Sequence, residues 1–153
     1  MTMKKTILLV EDNSDDELLT IRALKKNHLV NDIIVVRDGA EALDYLLGKN
    51  TDDKLKNPLP TLIILDLKLP KIDGLEVLKR IRNEEHTKLI PVVVLTSSKE
   101  QQDVIASYGF GANSFIRKPV DFNKFVEVAS SIGVYWLAMN EFPKNNEENN
   151  EFK

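Results

Sequence analysis

The sequence predicts a doubly wound α/β fold, a five-stranded parallel sheet with helices on both faces, and two observations carry that prediction. Short apolar runs rich in β-branched residues recur along the chain, as in strands buried on both faces. Between successive runs, apolar residues fall at helical spacing behind capping residues. Parallel neighbours cannot be joined by a tight hairpin, so each helix serves as a crossover.

Ile7-Leu8-Leu9-Val10 forms the first strand and Glu11-Asp12-Asn13 ends it. Ser14 with Glu17 three residues later makes a capping-box pattern, after which Leu18, Ile21 and Leu24 line the first helix. Ile33 to Val36 is the second strand. Asp38-Gly39-Ala40-Glu41 opens the second helix, which carries Ala42, Leu43, Leu46 and Leu47 and ends at Gly48. Lys49 to Pro60 is polar and reads as an exposed loop. Leu62 to Leu65 is the third strand, ending in Asp66, and Leu75, Val77, Leu78 and Ile81 mark a helix after Gly74. Val92 to Leu95 ends in Thr96, and Val104, Ile105 and Tyr108 mark a helix stopped at Gly109. Ser114 to Arg117 is the fifth strand, closing on Lys118-Pro119. The last helix runs from near Asp121 to about Met139, with Phe122, Phe125, Val126, Ala129, Ile132 and Trp136 in one core-facing stripe. One domain is expected over residues 4–140. Residues 141–153, mostly Asn, Glu and Lys, have too little apolar content to fold and are expected to be disordered.

Composition narrows the function. The 153 residues, 42% hydrophobic and 29% charged, suit one globular domain, expected to stand without an attached output domain. Twenty-four acidic against 21 basic residues, net −3, supply no positive field for a nucleic-acid backbone, so no nucleic-acid partner is expected. The absence of cysteine removes disulfides and thiol chemistry. With no signal-peptide core after the two early lysines and no run long enough to span a bilayer, a soluble cytoplasmic protein without a membrane partner is expected. His28 and His86 have no matching ligands nearby and read as surface residues.

In an open parallel sheet, ligands bind outside the carboxyl ends of the strands. Those ends deliver Glu11 and Asp12, Asp66, Thr96 and Lys118. Carboxylates forced together repel one another, and a hard divalent cation such as Mg²⁺ relieves them. A phosphoryl group could then be shared between the ion and the Lys118 ammonium while a carboxylate oxygen attacks phosphorus. Asp66, ending the strand expected to be central, is the candidate nucleophile, with Glu11 and Asp12 placed to hold the metal. Each residue taken alone has a plainer reading: Asp66 or Asp12 as a turn cap, Thr96 as a partner for local backbone, Lys118 as a solvated lysine. Their joint arrival at one edge favours the chemical reading.

The pattern Leu9-Val10-Glu11-Asp12-Asn13, Leu65-Asp66-Leu67-Lys68-Leu69-Pro70 with Asp73-Gly74, Leu95-Thr96-Ser97 and Lys118-Pro119 resembles the receiver domains of two-component response regulators, whose architecture is flavodoxin-like. Val36-Arg37-Asp38-Gly39-Ala40-Glu41-Ala42-Leu43, the extended loop before the third strand and Trp136 are most similar to the small phytochrome-associated response regulators. The resemblance implies a phosphoprotein of a phosphorelay. Asp66 would accept phosphate from a sensor histidine kinase, of the phytochrome type, or from a phosphotransfer protein, and the chain would catalyse only its own phosphorylation and dephosphorylation. Asp12, Asp66 and the backbone carbonyl of Lys68 would bind Mg²⁺, with Glu11 helping through water. Thr96 and Lys118 would contact phosphoryl oxygens, Phe115 would be the switch aromatic, with a core aromatic as its plainer reading, and the Lys118-Pro119 bond would be cis.

Glu11 stands where an aspartate is often found, which could shift the metal's water shell. Lys68 places a cation two residues after the acceptor and is expected to alter the lifetime of the phosphoryl group. Val128, Tyr135 and Met139 lie off the last helix's stripe and are expected to extend a partner or homodimer surface. A phosphatase with an aspartate nucleophile is the rival reading, but such enzymes commonly need a second aspartate two residues later, where this chain has Lys68. A pure interaction module is a second rival, disfavoured by the intact acidic set.

Overall fold

The structure, a computed structural model, describes residues 5–30 and 32–143. Strands β1 (Thr6–Val10), β2 (Asp32–Val36), β3 (Leu62–Leu65), β4 (Val92–Thr96) and β5 (Ser114–Arg117) form one parallel sheet in the order β2-β1-β3-β4-β5. The crossovers are α1 (Ser14–Lys25), α2 (Gly39–Leu47), α3 (Gly74–Arg82) and α4 (Gln101–Gly109), and α5 (Phe122–Gly133) follows β5. The last helix continues as a π-helical segment, Val134–Met139, in which Lys5 Nζ donates to the carbonyl of Leu137.

Alternation along the strands explains why the runs are apolar at every position. Leu8, Val10, Ile63, Leu65, Val92 and Val94 face α2 and α3, joining Ala42, Leu46, Val77, Leu78 and Ile81. Ile7, Leu9, Leu62, Ile64, Val93 and Leu95 face α1 and α5, joining Ala23, Leu24, Phe125, Ala129 and Ile132. Burial of each large side chain contributes about 1.5–3 kcal/mol relative to exposure. Arg82 ties the end of α3 to the sheet's lower edge, donating to the carbonyls of Lys88, Ile90 and Gly111 and to Asn113 Oδ1.

Three expectations need correction. The cap of α1 is Asn13, whose Oδ1 accepts the Asp16 N–H, and Ser14 is the first helical residue. Asn caps as well as Ser, so both registers were open in the sequence. Phe122, assigned to the core-facing stripe, is 55% exposed, because as the first residue of α5 it lies before the turn that meets the sheet. The Lys118–Pro119 peptide is trans, an isomer that differs little in energy from cis for a tertiary amide. The tail expected over 141–153 lies outside the described residues from 144 onward; residues 141–143 have no regular secondary structure. Among the described residues, no helix is long and apolar enough to cross a membrane. His28 and His86 are both exposed.

Candidate functional site

Strand register assembles the site. Val10 pairs with Leu65, Leu65 with Val94, and Thr96 with Arg117, so the next residues of β1, β3 and β5 emerge at one edge beside Thr96. The ladder runs one residue past the strands: Glu11 N–H donates to Val36 O, Asp66 N–H to Val10 O and Lys118 N–H to Thr96 O. The order in which strands are added reverses between the parallel neighbours β1 and β3, where crossovers leave to opposite faces and open a crevice. Glu11 and Asp66 stand on its two sides. Behind Asp66 the chain is drawn in by Gly74, whose N–H donates to Leu67 O. A Cβ at Gly74 would lie 2.3 Å from the Asp66 carbonyl oxygen, so only glycine permits this approach.

Lys118 is the centre of the arrangement. Its ammonium lies 2.7 Å from Glu11 Oε1 and 2.8 Å from both Asp66 Oδ2 and Asp16 Oδ2, one acceptor for each of its three protons. The side chains of Lys118, Glu11 and Asp66 are 7%, 2% and 5% exposed. Burial would push the Asp66 acid up, but the Lys118 ammonium and the Thr96 hydroxyl hold its carboxyl below the ordinary range. Burial, helped by the neighbouring charge of Asp66, pushes Glu11 the other way, to about 7, against the pull of Lys118. The Lys118 ammonium, though desolvated, is held above its ordinary value by Asp16, Asp66 and Glu11. Asp66 is therefore an ionised carboxylate with a cation and a hydroxyl already aimed at it.

One oxygen from each of Glu11, Asp12 and Asp66 lies within 4.8 Å of the others. Hard oxygen donors in excess of local positive charge suit a divalent cation, and Asp12 is exposed, leaving an open side for entry and for retained waters. Lys68 lies in the loop after Asp66 with its side chain exposed, and its N–H donates to Asp66 Oδ1 at 3.3 Å. Phe115 is partly buried beside Val94, packed against the α2 and α3 core layer.

Sequence reasoning brought Glu11, Asp12, Asp66, Thr96 and Lys118 to this edge and missed two residues. Asp16 belongs to a helix, not a strand end; its only sequence signal is that of an ordinary acid in a first turn. Ser98 is buried behind Thr96, its N–H donating to Thr96 Oγ1 and its hydroxyl to Asp103 Oδ2.

The sequence model of the response regulator receiver domain matches residues 7–130. The probable methanogenesis regulatory protein FilR2 of Methanothrix harundinacea is 40% identical over 90% of this chain and 86% of its own length. Response regulator Rcp1 of Synechocystis is 40% identical over 87% of this chain and 89% of its own. Its Mn²⁺-bound crystal structure superposes with a TM-score of 0.85 at 38% identity, covering 92% of this chain and 99% of that one. The phosphorylated cyanobacterial phytochrome response regulator RcpA superposes with a TM-score of 0.86 at 37% identity, covering 93% of this chain and all of that one.

Proposed function

The chain belongs to the response regulator receiver domain family, a signalling component of two-component systems, and from that premise we propose that it carries its signal as a phosphoryl group on Asp66. The observation that supports the reading best is the Lys118 ammonium bridging Glu11 and Asp66 while the Thr96 hydroxyl reaches the same Asp66 carboxylate.

In this reading, Asp66 attacks the phosphorus of a phosphohistidine, the P–N bond breaks as the new P–O bond forms, and the histidine of the donor leaves with the bonding pair. Lys118 and Thr96 meet the phosphoryl oxygens. Mg²⁺, held by Asp12, Asp66 and the Lys68 carbonyl with Glu11 through water, would supply further positive charge to those oxygens. That Rcp1 has a Mn²⁺-bound form supports a divalent ion as the cofactor. The side chain two residues after Asp66 is the cation Lys68 rather than an acid able to activate water, which favours a held phosphoryl group over catalytic turnover. Similarity to RcpA favours a phytochrome-type histidine kinase as donor.

The new charge, roughly −2, draws Thr96 toward it and lets Phe115 turn inward, altering the surface read by a partner. We assign a homodimer contact to the exposed side of the last helix. There Tyr135 and Met139 are 50% and 69% exposed, and Tyr135 and Val128 line a groove with Ile116 and Trp136.

The test is incubation with Mg²⁺ and acetyl phosphate, followed by intact mass. Wild type gains one phosphoryl group and Asp66→Asn gains none; wild type without added mass sinks the scheme. The same samples report two further expectations: an altered dephosphorylation rate for Lys68→Asn, and a larger sedimentation coefficient for the phosphorylated wild type.

A further inference from the structure

Asp16 is held where it is by its backbone. Its N–H donates to Asn13 Oδ1 at 2.9 Å and its carbonyl accepts the Thr20 hydroxyl at 2.7 Å. An acid at this third helical position ordinarily reaches back to the N–H of the capping residue. Here that N–H, on Asn13, donates instead to Glu11 Oε2 at 3.2 Å. The Asp16 carboxylate is released from capping, and Oδ2 points at Lys118 Nζ, 2.8 Å away, across 102 residues of sequence.

The three acceptors of Lys118 are not equivalent. Glu11 and Asp66 belong to the carboxylate cluster suited to a cation, whereas Asp16 stands outside it. When Glu11 and Asp66 turn their charge toward an ion and a phosphoryl group, Asp16 alone keeps its full hold on the ammonium. We propose that Asp16 is a positioning residue for phosphoryl transfer, anchoring Lys118 so that one of its protons meets the incoming phosphoryl oxygen. A lysine ammonium on a flexible four-carbon stem otherwise spreads over many rotamers. A fixed second partner restricts it before the reaction. The inference rests on the reading of Asp66 as phosphoacceptor.

The experiment compares wild type, Asp16→Ala and Asp16→Asn, with Asp66→Asn as blank, in a time course of mass gain from acetyl phosphate and Mg²⁺. Calorimetric Mg²⁺ titration and a thermal melt are run on each protein. Both Asp16 variants keep the Asn13 cap, which uses only the Asp16 backbone N–H. Asp16→Ala is expected to slow the gain roughly tenfold, with Mg²⁺ affinity within about twofold of wild type. Asp16→Asn, whose side-chain carbonyl still accepts a proton from Lys118, is expected to recover to within about threefold. An Asp16→Ala rate equal to wild type overturns the proposal. So does equal slowing in both variants, or slowing matched by lost Mg²⁺ affinity or a lower melting midpoint. Wild type that gains no mass overturns the Asp66 reading itself, a result distinct from each of these.

Discussion

Glu11 carries the largest electrostatic conflict in the molecule's site. It is 2% exposed, shares Lys118 with Asp66 and Asp16, and is pushed by burial up to about 7. A buried carboxylate beside another costs more than its share of one ammonium returns, particularly when that ammonium keeps two other acceptors. Glu11→Gln is therefore expected to raise the metal-free melting midpoint by a few degrees, since ~1 kcal/mol corresponds to about 2–4 °C in a domain of this size. Added Mg²⁺ should stabilise wild type more than the variant. Melts with and without Mg²⁺ check this, and a lower midpoint for metal-free Glu11→Gln would show that attraction to Lys118 prevails. At this scale the strand-end residues were legible because an apolar run shows where it stops. Asp16 was not, because nothing local distinguishes it from Asp15: the difference is which of them faces a lysine 102 residues away.

At the scale of the element, caps set where helices begin and hence which side chains reach the site. Asp38 caps α2, its Oδ1 accepting the Glu41 N–H at 2.7 Å, as the Asp38-Gly39-Ala40-Glu41 pattern predicted. That N–H holds the Asp38 acid below the ordinary carboxylate range, with Lys71 acting in the same direction. A carboxyl with a depressed folded pKa stabilises the fold above its unfolded value, and the contribution is lost as pH falls through the folded value. The stability difference between wild type and Asp38→Ala should thus be full at neutral pH and shrink only below about pH 4. Denaturant titrations at several pH values measure it; a difference independent of pH down to 2 removes the charge from the argument. The first helix shows what propensity leaves open. Asn13 and Ser14 are equally good caps, and the choice between them fell to Glu11, which satisfies the Asn13 N–H from the preceding strand end.

Across the whole molecule, the two core layers are tied unequally to their helices. Residues of α3 and α5 enter the core at several positions, but α4 buries only Ser107, whose hydroxyl has no partner among the described residues, and leaves Ile105 and Tyr108 65% and 52% exposed. A helix with so little buried apolar surface opens at low cost. It is also wired to the site, since Thr96, Ser98 and Asp103 are linked by hydrogen bonds from β4 into its first turn. Amides of α4 should exchange with deuterium faster than those of α3 and should change most among the helices on phosphorylation. Equal protection of the two helices in hydrogen-exchange mass spectrometry would refute this.

The sequence by itself determined the alternation of strands and helices, the parallel sheet and the edge at which Glu11, Asp12, Asp66, Thr96 and Lys118 meet. Hydrophobic periodicity is a local signal, and the handed crossover converts it into topology. Only the tertiary structure decided which carboxylates share the ammonium, that Asp16 is one of them, that Ser98 stands behind Thr96, and that α4 is the loosely held helix. Those outcomes depend on the register of distant segments and on competition among acceptors within a few ångströms, and neither is written in the spacing of residues along the chain.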